Sequence, residues 1–423
     1  LGRGTPYITE QSGDANAGLA SAAQVLDMTF TLPYLPHACM EVLNCTVRMT
    51  PPTGTPTACE IWAPTQAPNS VLSTAAAVTG LPKSAITVYP MLMGGGLGRK
   101  FEQDYISQAI RTAMAVGRPV KLTWPREEDM SRDQYRPMAV CRIKAGLDGD
   151  GNITAWSNRH VSPSISAQRG RALRSTGDSN ATEGATDLPY DLPNRLIDYV
   201  VHPSPIPVGY WRSVGYAINC FAIESAIDEI AIATNADPLV LRQQLLANSS
   251  NAMAARSLAV LNAAADLAGW NTPVPAGRAR GIAIGIAFGT IVAEVAELSA
   301  PTAGNFTLHK VACAVDCGTA VNPDSVKAQM EGGIFHGLSA AKWGELKWTA
   351  GKSSVKNFNR YRMTRLSEAP VISVTIVNSG APMSGCGEPG VPPIAPAVAN
   401  AYARLTGQRI RSLPFFPGAT MGG

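Results

Sequence analysis

Glu388 is the only charged side chain between positions 371 and 403, and it sits in the glycine-rich stretch Gly385-Cys386-Gly387-Glu388-Pro389-Gly390. A carboxyl shielded in such surroundings is pushed up in pKa, which makes it useful as a base near neutral pH. The plain alternative is a solvated loop acid. Three further stretches carry residue types suited to binding. In Gly94-Gly95-Gly96-Leu97-Gly98-Arg99-Lys100 the glycines let backbone N–H groups close on an anion ahead of a helix. Phe101 stands where a phosphate-binding Walker loop needs Ser or Thr, and the glycine spacing also misses the dinucleotide fingerprint, so a turn built for close packing is the other reading. In Gly209-Tyr210-Trp211-Arg212-Ser213-Val214-Gly215, Arg212 has the fork geometry to hold a phosphate or a ring carbonyl, with Trp211 as a wall. Pairing with an acid such as Glu224 or Asp228 is the competing use of that arginine. The fourth stretch, Val315-Asp316-Cys317-Gly318-Thr319-Ala320-Val321-Asn322-Pro323, leads into a helix bearing Gln329 and the pair Gly332-Gly333, which suits close approach to an extended ligand. It also reads as an ordinary strand-turn-helix with Asn322-Pro323 as the turn.

The elements that must position these residues are mixed. Three-to-four spacing of apolar residues predicts helices over 104–116, 219–234, 238–248, 254–268 and 393–406. Runs with strand character lie at 85–89, 119–124, 141–147, 152–160, 306–315 and 370–377, and 281–293 reads as one buried strand. The fold class is α+β. At 423 residues, two large lobes are expected, 1–270 and 271–423, divided in the Pro-containing stretch 270–280 that follows Gly269.

Composition narrows the function classes. Lys and Arg number 35 against 31 Asp and Glu, so the net charge is 35 − 31 = +4, and the cations form no run; nucleic-acid binding has no support. No segment reaches the roughly 18 uncharged apolar residues of a membrane span. Cys39, Cys45, Cys59, Cys141, Cys220, Cys313, Cys317 and Cys386 make no C-x-x-C pair or Cys/His cluster, so no zinc or iron–sulfur site is expected here, and all but Cys386 read as buried small hydrophobes. Only 16% of residues are charged and 45% are hydrophobic, the balance of a chain partly covered by partners.

Taken together and in this order, the four stretches resemble the molybdenum-binding subunit of the xanthine oxidase family, in its isoquinoline 1-oxidoreductase and membrane-associated aldehyde dehydrogenase branch. His37-Ala38-Cys39-Met40-Glu41, Trp62-Ala63-Pro64-Thr65-Gln66 and the tail Gln408 to Pro414 match as well. The resemblance implies that Gly95, Gly96, Leu97, Gly98, Arg212, Gln329, Gly385, Cys386 and Gly387 surround a molybdopterin cytosine dinucleotide, whose own sulfur atoms hold the metal. It implies that Glu388 is the general base that activates a water-derived oxygen for attack on a substrate carbon. Two electrons then leave through 2Fe–2S clusters on a partner subunit, with a cytochrome c as a further partner. Leu97, Val214 and Phe288 are the implied substrate pocket. Phe101, Leu97 and Val214 replace the acid and aromatics of the purine-oxidising members, and Leu35 a glutamine near the metal, so an aldehyde or N-heteroaromatic is the expected substrate. The family's N-terminal part, with its hammerhead domain, has no counterpart in the sequence, so a second chain or fragment is expected to complete the site. A non-catalytic scaffold subunit is the alternative function, and an unrelated nucleotide-binding enzyme using the 94–98 loop a weaker one. A periplasmic or membrane-associated setting is implied by likeness, the cytoplasm being the alternative.

Overall fold

The computed structural model describes residues 4–300, 305–415 and 417. Three sheets carry the architecture. The first has the order Tyr7–Ser12, Arg195–Val201, Ile153–Ser162, Ala139–Leu147, Gln24–Leu32, with only the second and third strands parallel. The second runs Arg278–Ala287, Thr290–Ser299, Thr307–Asp316, Val371–Ile376, the last two parallel. The third runs Ile86–Pro90, Ala58–Ala63, Asn44–Thr50, Val120–Thr123, the first two parallel.

Parallel neighbours need a crossover, and each sheet holds one such pair. Helix Pro68–Thr79 connects the third sheet's pair and helix Pro323–Trp343 the second sheet's. This topology bears on the site directly. The 94–98 loop follows the parallel strand Ile86–Pro90, the 209–215 turn follows Arg195–Val201, the Cys317 loop follows Thr307–Asp316, and the 385–390 loop follows Val371–Ile376. All four stretches therefore emerge from the C-terminal ends of parallel strands, where open sheets commonly gather ligand-binding loops.

Helix Val214–Ala233 is the central post. Its apolar residues face every direction, the pattern of a helix buried all round. It packs on strands of the first and second sheets and on helix Ile394–Thr406. The core around it is continuous from Met28 to Phe415, so it crosses residue 270 without interruption. Buried polar links cross there too: Glu224 takes the Ile284 N–H at 3.1 Å on its carboxylate and the Asn400 amide at 3.3 Å on its carbonyl, while Arg242 Nε holds the same carboxylate at 2.8 Å. The third sheet has a core of its own. Helix Asp104–Val116 buries Ile106, Ala109, Ile110 and Ala113 against Val47 and Ile61, each large side chain contributing about 1.5–3 kcal/mol, and it stops at Gly117, whose left-handed backbone (φ +60°) closes an N–H bond to Ala113.

The mixed α+β reading holds, and helices 104–116 and 254–268 fall where expected. Two elements differ. The central helix starts at Val214, five residues before the expected Asn219, because its first turn has no side-chain cap to announce it. Asn219 instead sits inside the helix and ties down the 181–183 backbone through two 2.8 Å bonds to the Ala181 and Glu183 carbonyls. The expected single strand 281–293 is a hairpin: Arg278–Ala287 turns at Phe288-Gly289 into Thr290–Ser299, both turn residues left-handed at φ +52° and +80°. An aromatic at a turn hides the break from a hydropathy pattern.

Candidate active site

Arg212 ties three of the four stretches together. Its Nε and Nη2 donate to the Gly387 carbonyl at 2.9 and 2.5 Å, and Nη2 also reaches Gln329 Oε1 at 2.9 Å and the Gln329 carbonyl at 3.3 Å. The competing acids are engaged elsewhere: Glu224 holds Arg242 and Asp228 holds Arg409 at 2.8 Å, so the reading of Arg212 as an ordinary ion-pair partner falls. Next to it, Ser213 grips the acid twice. Its N–H donates to Glu388 Oε1 at 2.9 Å and its hydroxyl to the Glu388 carbonyl at 2.8 Å. Trp211 anchors the turn from behind, stacked on His336 at 4.4 Å with the Arg136 guanidinium 5.4 Å from its ring centre. His336 lies seven residues after Gln329 on the same helix, so one helix face supports both Trp211 and Arg212.

The remaining stretch, the 94–100 loop, joins through Gly98. A Cβ there would fall 1.4 Å from the Tyr210 carbonyl oxygen, so the loop can close on the Arg212 turn only with glycine, which also takes φ +105°. The same carbonyl meets His37 Nε2 at 2.9 Å, and Asp133 holds the other ring nitrogen at 2.9 Å. Gly94 and Gly98 donate to Glu41 at 2.8 Å and Gln66 at 3.0 Å, and buried Lys100 pairs with Glu41. Close packing is thus part of what the glycines do. Among the described residues, no backbone or side-chain acceptor takes the N–H groups of Gly95, Gly96 and Leu97, which leaves them as donors at the rim.

The Cys317 loop is tied to the segment that leads into the Glu388 loop. Asp316 receives Gly318 N–H and Ser379 Oγ at 2.9 Å and Arg256 Nε at 2.7 Å, and Ser384 N–H bonds the Cys317 carbonyl at 3.0 Å. Gly333 lets the Gln329 helix approach Gly390, where an added Cβ would sit 2.9 Å from backbone. Cys386 is partly buried against the main core, while the other seven cysteines are buried, and all eight are free thiols.

Burial raises the Glu388 carboxyl above its usual pKa, opposed by the Ser213 N–H and the Arg212 charge. Burial in turn lowers Arg212 and drives His336 down to about 3, the latter helped by the Arg212 charge. His336 is therefore neutral, a ring to stack on rather than a proton carrier.

Of the expected pocket residues, Val214 directly follows Ser213, and the Phe288 carbonyl accepts the Gly385 N–H at 3.4 Å. Phe288 is 38% exposed, not a core residue, and meets Tyr216 edge-on at 5.1 Å. Five of the non-glycine residues with left-handed backbone, Ala38, Leu97, Ser213, Val214 and Phe288, flank the site, and a β-branched Val214 at φ +47° is a costly conformation that surrounding packing must impose. Sequence reasoning missed Ser213, Tyr216 and Glu183. The last follows a single helical turn, Ser179–Thr182, and lies against Gly215, where an added Cβ would sit 3.3 Å from its own Cβ. Burial, then Asp187, pushes its carboxyl up to about 7, with Asp178 and Glu388 adding to the rise.

Two models of a molybdopterin cofactor-binding domain match the chain, over residues 3–246 and 270–370. The chain belongs to the molybdenum-binding subunits of the xanthine oxidase family. Within that family it is similar to the isoquinoline 1-oxidoreductase subunit beta of Brevundimonas diminuta, 36% identical over 85% of this chain and 46% of that protein. It is also similar to a membrane-bound aldehyde dehydrogenase of Gluconacetobacter polyoxogenes, 28% identical over 99% of this chain and 57% of that one. The chain thus spans about half the length of these curated relatives. Quinoline 2-oxidoreductase from Pseudomonas putida 86 shares the fold, with a TM-score of 0.82 at 14% identity over 97% of this chain and 77% of that chain. The donor set of the site fits the family's cofactor: rim N–H groups at Gly95, Gly96 and Leu97, the Arg212 guanidinium and the Gln329 amide are what an anionic, carbonyl-bearing pterin needs. Among the described residues, no group of three or more His, Cys, Asp or Glu is placed to hold a metal ion by itself.

Proposed function

We propose that this chain forms the catalytic face of a molybdenum hydroxylase that oxidises an aldehyde or an N-heteroaromatic with oxygen from water. The observation that carries the reading is the double hold of Ser213 on Glu388, beside an Arg212 that joins the Glu388 loop to Gln329. A loop acid fixed at both its carboxylate and its carbonyl is a positioned group, not a solvated one. When bound, molybdopterin supplies the metal that takes two electrons from the substrate. This chain supplies the rest. The rim N–H groups of Gly95, Gly96 and Leu97, with Gln329 and the 385–387 backbone, hold the cofactor, and Arg212 fixes its surroundings. Because Glu388 Oε1 already accepts the Ser213 N–H, Oε2 is the atom that receives the proton. Burial keeps that proton affinity high enough for a base working near neutral pH. Leu97, Val214 and Phe288 exclude water beside it.

The finer reading follows the family. The cofactor is the cytosine dinucleotide form, electrons pass to a 2Fe–2S small subunit and then to a cytochrome c, and a chain or fragment matching the N-terminal part of the relatives closes the site. The setting is periplasmic or membrane-associated. The test is Glu388→Gln in the purified complex, followed by dye reduction with benzaldehyde and with isoquinoline while molybdenum and pterin are quantified. Turnover is expected to fall by about 10³-fold or more with metal retained. Wild-type turnover in that variant would remove Glu388 from the mechanism, and a wild-type complex without stoichiometric molybdenum would favour the scaffold reading.

A further inference from the structure

Glu183 is the second carboxyl at this face, and nothing in the proposed reaction uses it. Its main chain is locked, since Asn219 Nδ2 holds its carbonyl at 2.8 Å. Gly184 and Gly215 bring it against the start of the central helix: a Cβ on Gly184 would sit 3.2 Å from Tyr216 Cα, and one on Gly215 would sit 3.3 Å from Glu183 Cβ. The carboxyl therefore lies by Val214, Gly215 and Tyr216, one step from Ser213, which holds the base. Its Oε2 is buried and among the described residues has no hydrogen-bond partner. Among the described residues no cation offsets it: the Gly215 N–H bonds the carboxyl and opposes the rise, and the charges acting on it, Asp187, Asp178 and Glu388, are all acids. A buried carboxyl raised to about 7 by such neighbours carries its proton in a large share of molecules near neutral pH, and the protonated form is a hydrogen-bond donor whose Oε2 lacks a partner among the described residues. Beside it the Phe288–Tyr216 pair offers aromatic faces for a flat ring.

We propose that Glu183 recognises the substrate, donating a hydrogen bond to the ring nitrogen of a neutral N-heteroaromatic that rests against Phe288 and Tyr216. This rests on the functional reading above and names the substrate class for the same site. The acidic surroundings select against anionic rings, since a carboxylate substituent would meet Asp187 and Glu388 as well as Glu183. The ring nitrogen is the feature recognised, so two flat molecules of one shape isolate it: isoquinoline, which has the acceptor, and naphthalene, which lacks it.

The experiment measures binding of both to the purified complex by calorimetry, for the wild type, Glu183→Leu and Glu183→Gln. The wild type is expected to prefer isoquinoline by about 10- to 100-fold, the worth of one well-placed buried hydrogen bond. Glu183→Leu should abolish that preference while naphthalene binding changes little, and Glu183→Gln, which keeps an N–H donor and the shape, should retain most of it. Melting temperatures of both variants show that they fold; should Glu183→Leu not fold, Glu183→Met takes its place. Equal wild-type affinity for the two molecules, or an undiminished preference in Glu183→Leu, overturns the proposal. A wild type that binds isoquinoline selectively yet reduces no dye with any substrate would instead overturn the functional reading and leave this one standing.

Discussion

Replacing Ser213 with Gly separates the two jobs this residue holds. The backbone sits at φ +80°, where a side chain costs roughly 1–2 kcal/mol that glycine does not incur. Against that relief stand roughly 0.5–1 kcal/mol for the added freedom of glycine in the unfolded chain and roughly 0.5–1.5 kcal/mol for the lost hydroxyl bond to the Glu388 carbonyl. The contributions cancel to within about 1 kcal/mol, so Tm should move by no more than a few degrees, up or down. The N–H to Glu388 Oε1 remains in the variant, so the proton affinity of the base keeps its setting. What is lost is the anchor of the loop's main chain. If that bond, worth about 1.4 kcal/mol at most, is spent on holding the base in the transition-state geometry, kcat should fall by up to about tenfold with an unchanged acid limb in the pH profile. Calorimetric melting and a kcat profile between pH 5 and 9 read both effects. An unchanged kcat would refute the positioning role, and a Tm drop beyond about 10 °C would show that the hydroxyl is a structural tie whose loss outweighs the relief at φ.

Arg212→Lys keeps the charge but loses the fork that reaches Gly387 and Gln329 at once; pterin content should fall in the purified protein, with about 2–3 kcal/mol of stability lost, read by denaturant unfolding. Gly98→Ala should cost several kcal/mol and displace the Arg212 turn, because the new methyl would meet the Tyr210 carbonyl; a soluble variant with wild-type Tm would contradict the closeness of the two loops. Glu183, with a carboxyl raised to about 7, gives a signed pH effect. A raised carboxyl favours the folded state below its unfolded value of 4.5, and that advantage is lost as pH climbs from 4.5 to about 7. Glu183→Gln should therefore raise Tm at pH 8 and leave it nearly unchanged at pH 4, with an upper limit of about 3 kcal/mol for the gain. A gain of equal size at both pH values would mean that burial of the charge is not its cause.

The residues at the centre of the site were legible because their types are scarce where they occur. A lone acid between glycines, a four-glycine loop and an arginine after a tryptophan each mark a place, and family order joins them. What the sequence could not reveal is conformation. Ser213 lies ahead of the expected helix start and gives no local sign of its role; its backbone is left-handed, its side chain caps nothing within the helix, and it points across to Glu388. Phe288 and Gly289 read as the middle of a strand, because a turn made by an aromatic carries no polar signal. Glu183 was invisible for the opposite reason, since an acid among polar loop residues looks solvated until the fold brings Gly215 and Tyr216 against it. In each case the missing information is a long-range contact, which local spacing does not encode.

The uninterrupted core across residue 270 sets the unit in which this protein can be inherited or re-engineered. Two family models meet near that position, and a builder of chimeras would cut there. Each half so released would carry an apolar face that the other half is shaped to cover, and the bonds that Ile284 and Asn400 make to Glu224 would part with it. Exchange between relatives should succeed by swapping the four strand-end loops on an intact scaffold, which confines the evolution of new substrates to the rim and keeps the halves travelling together.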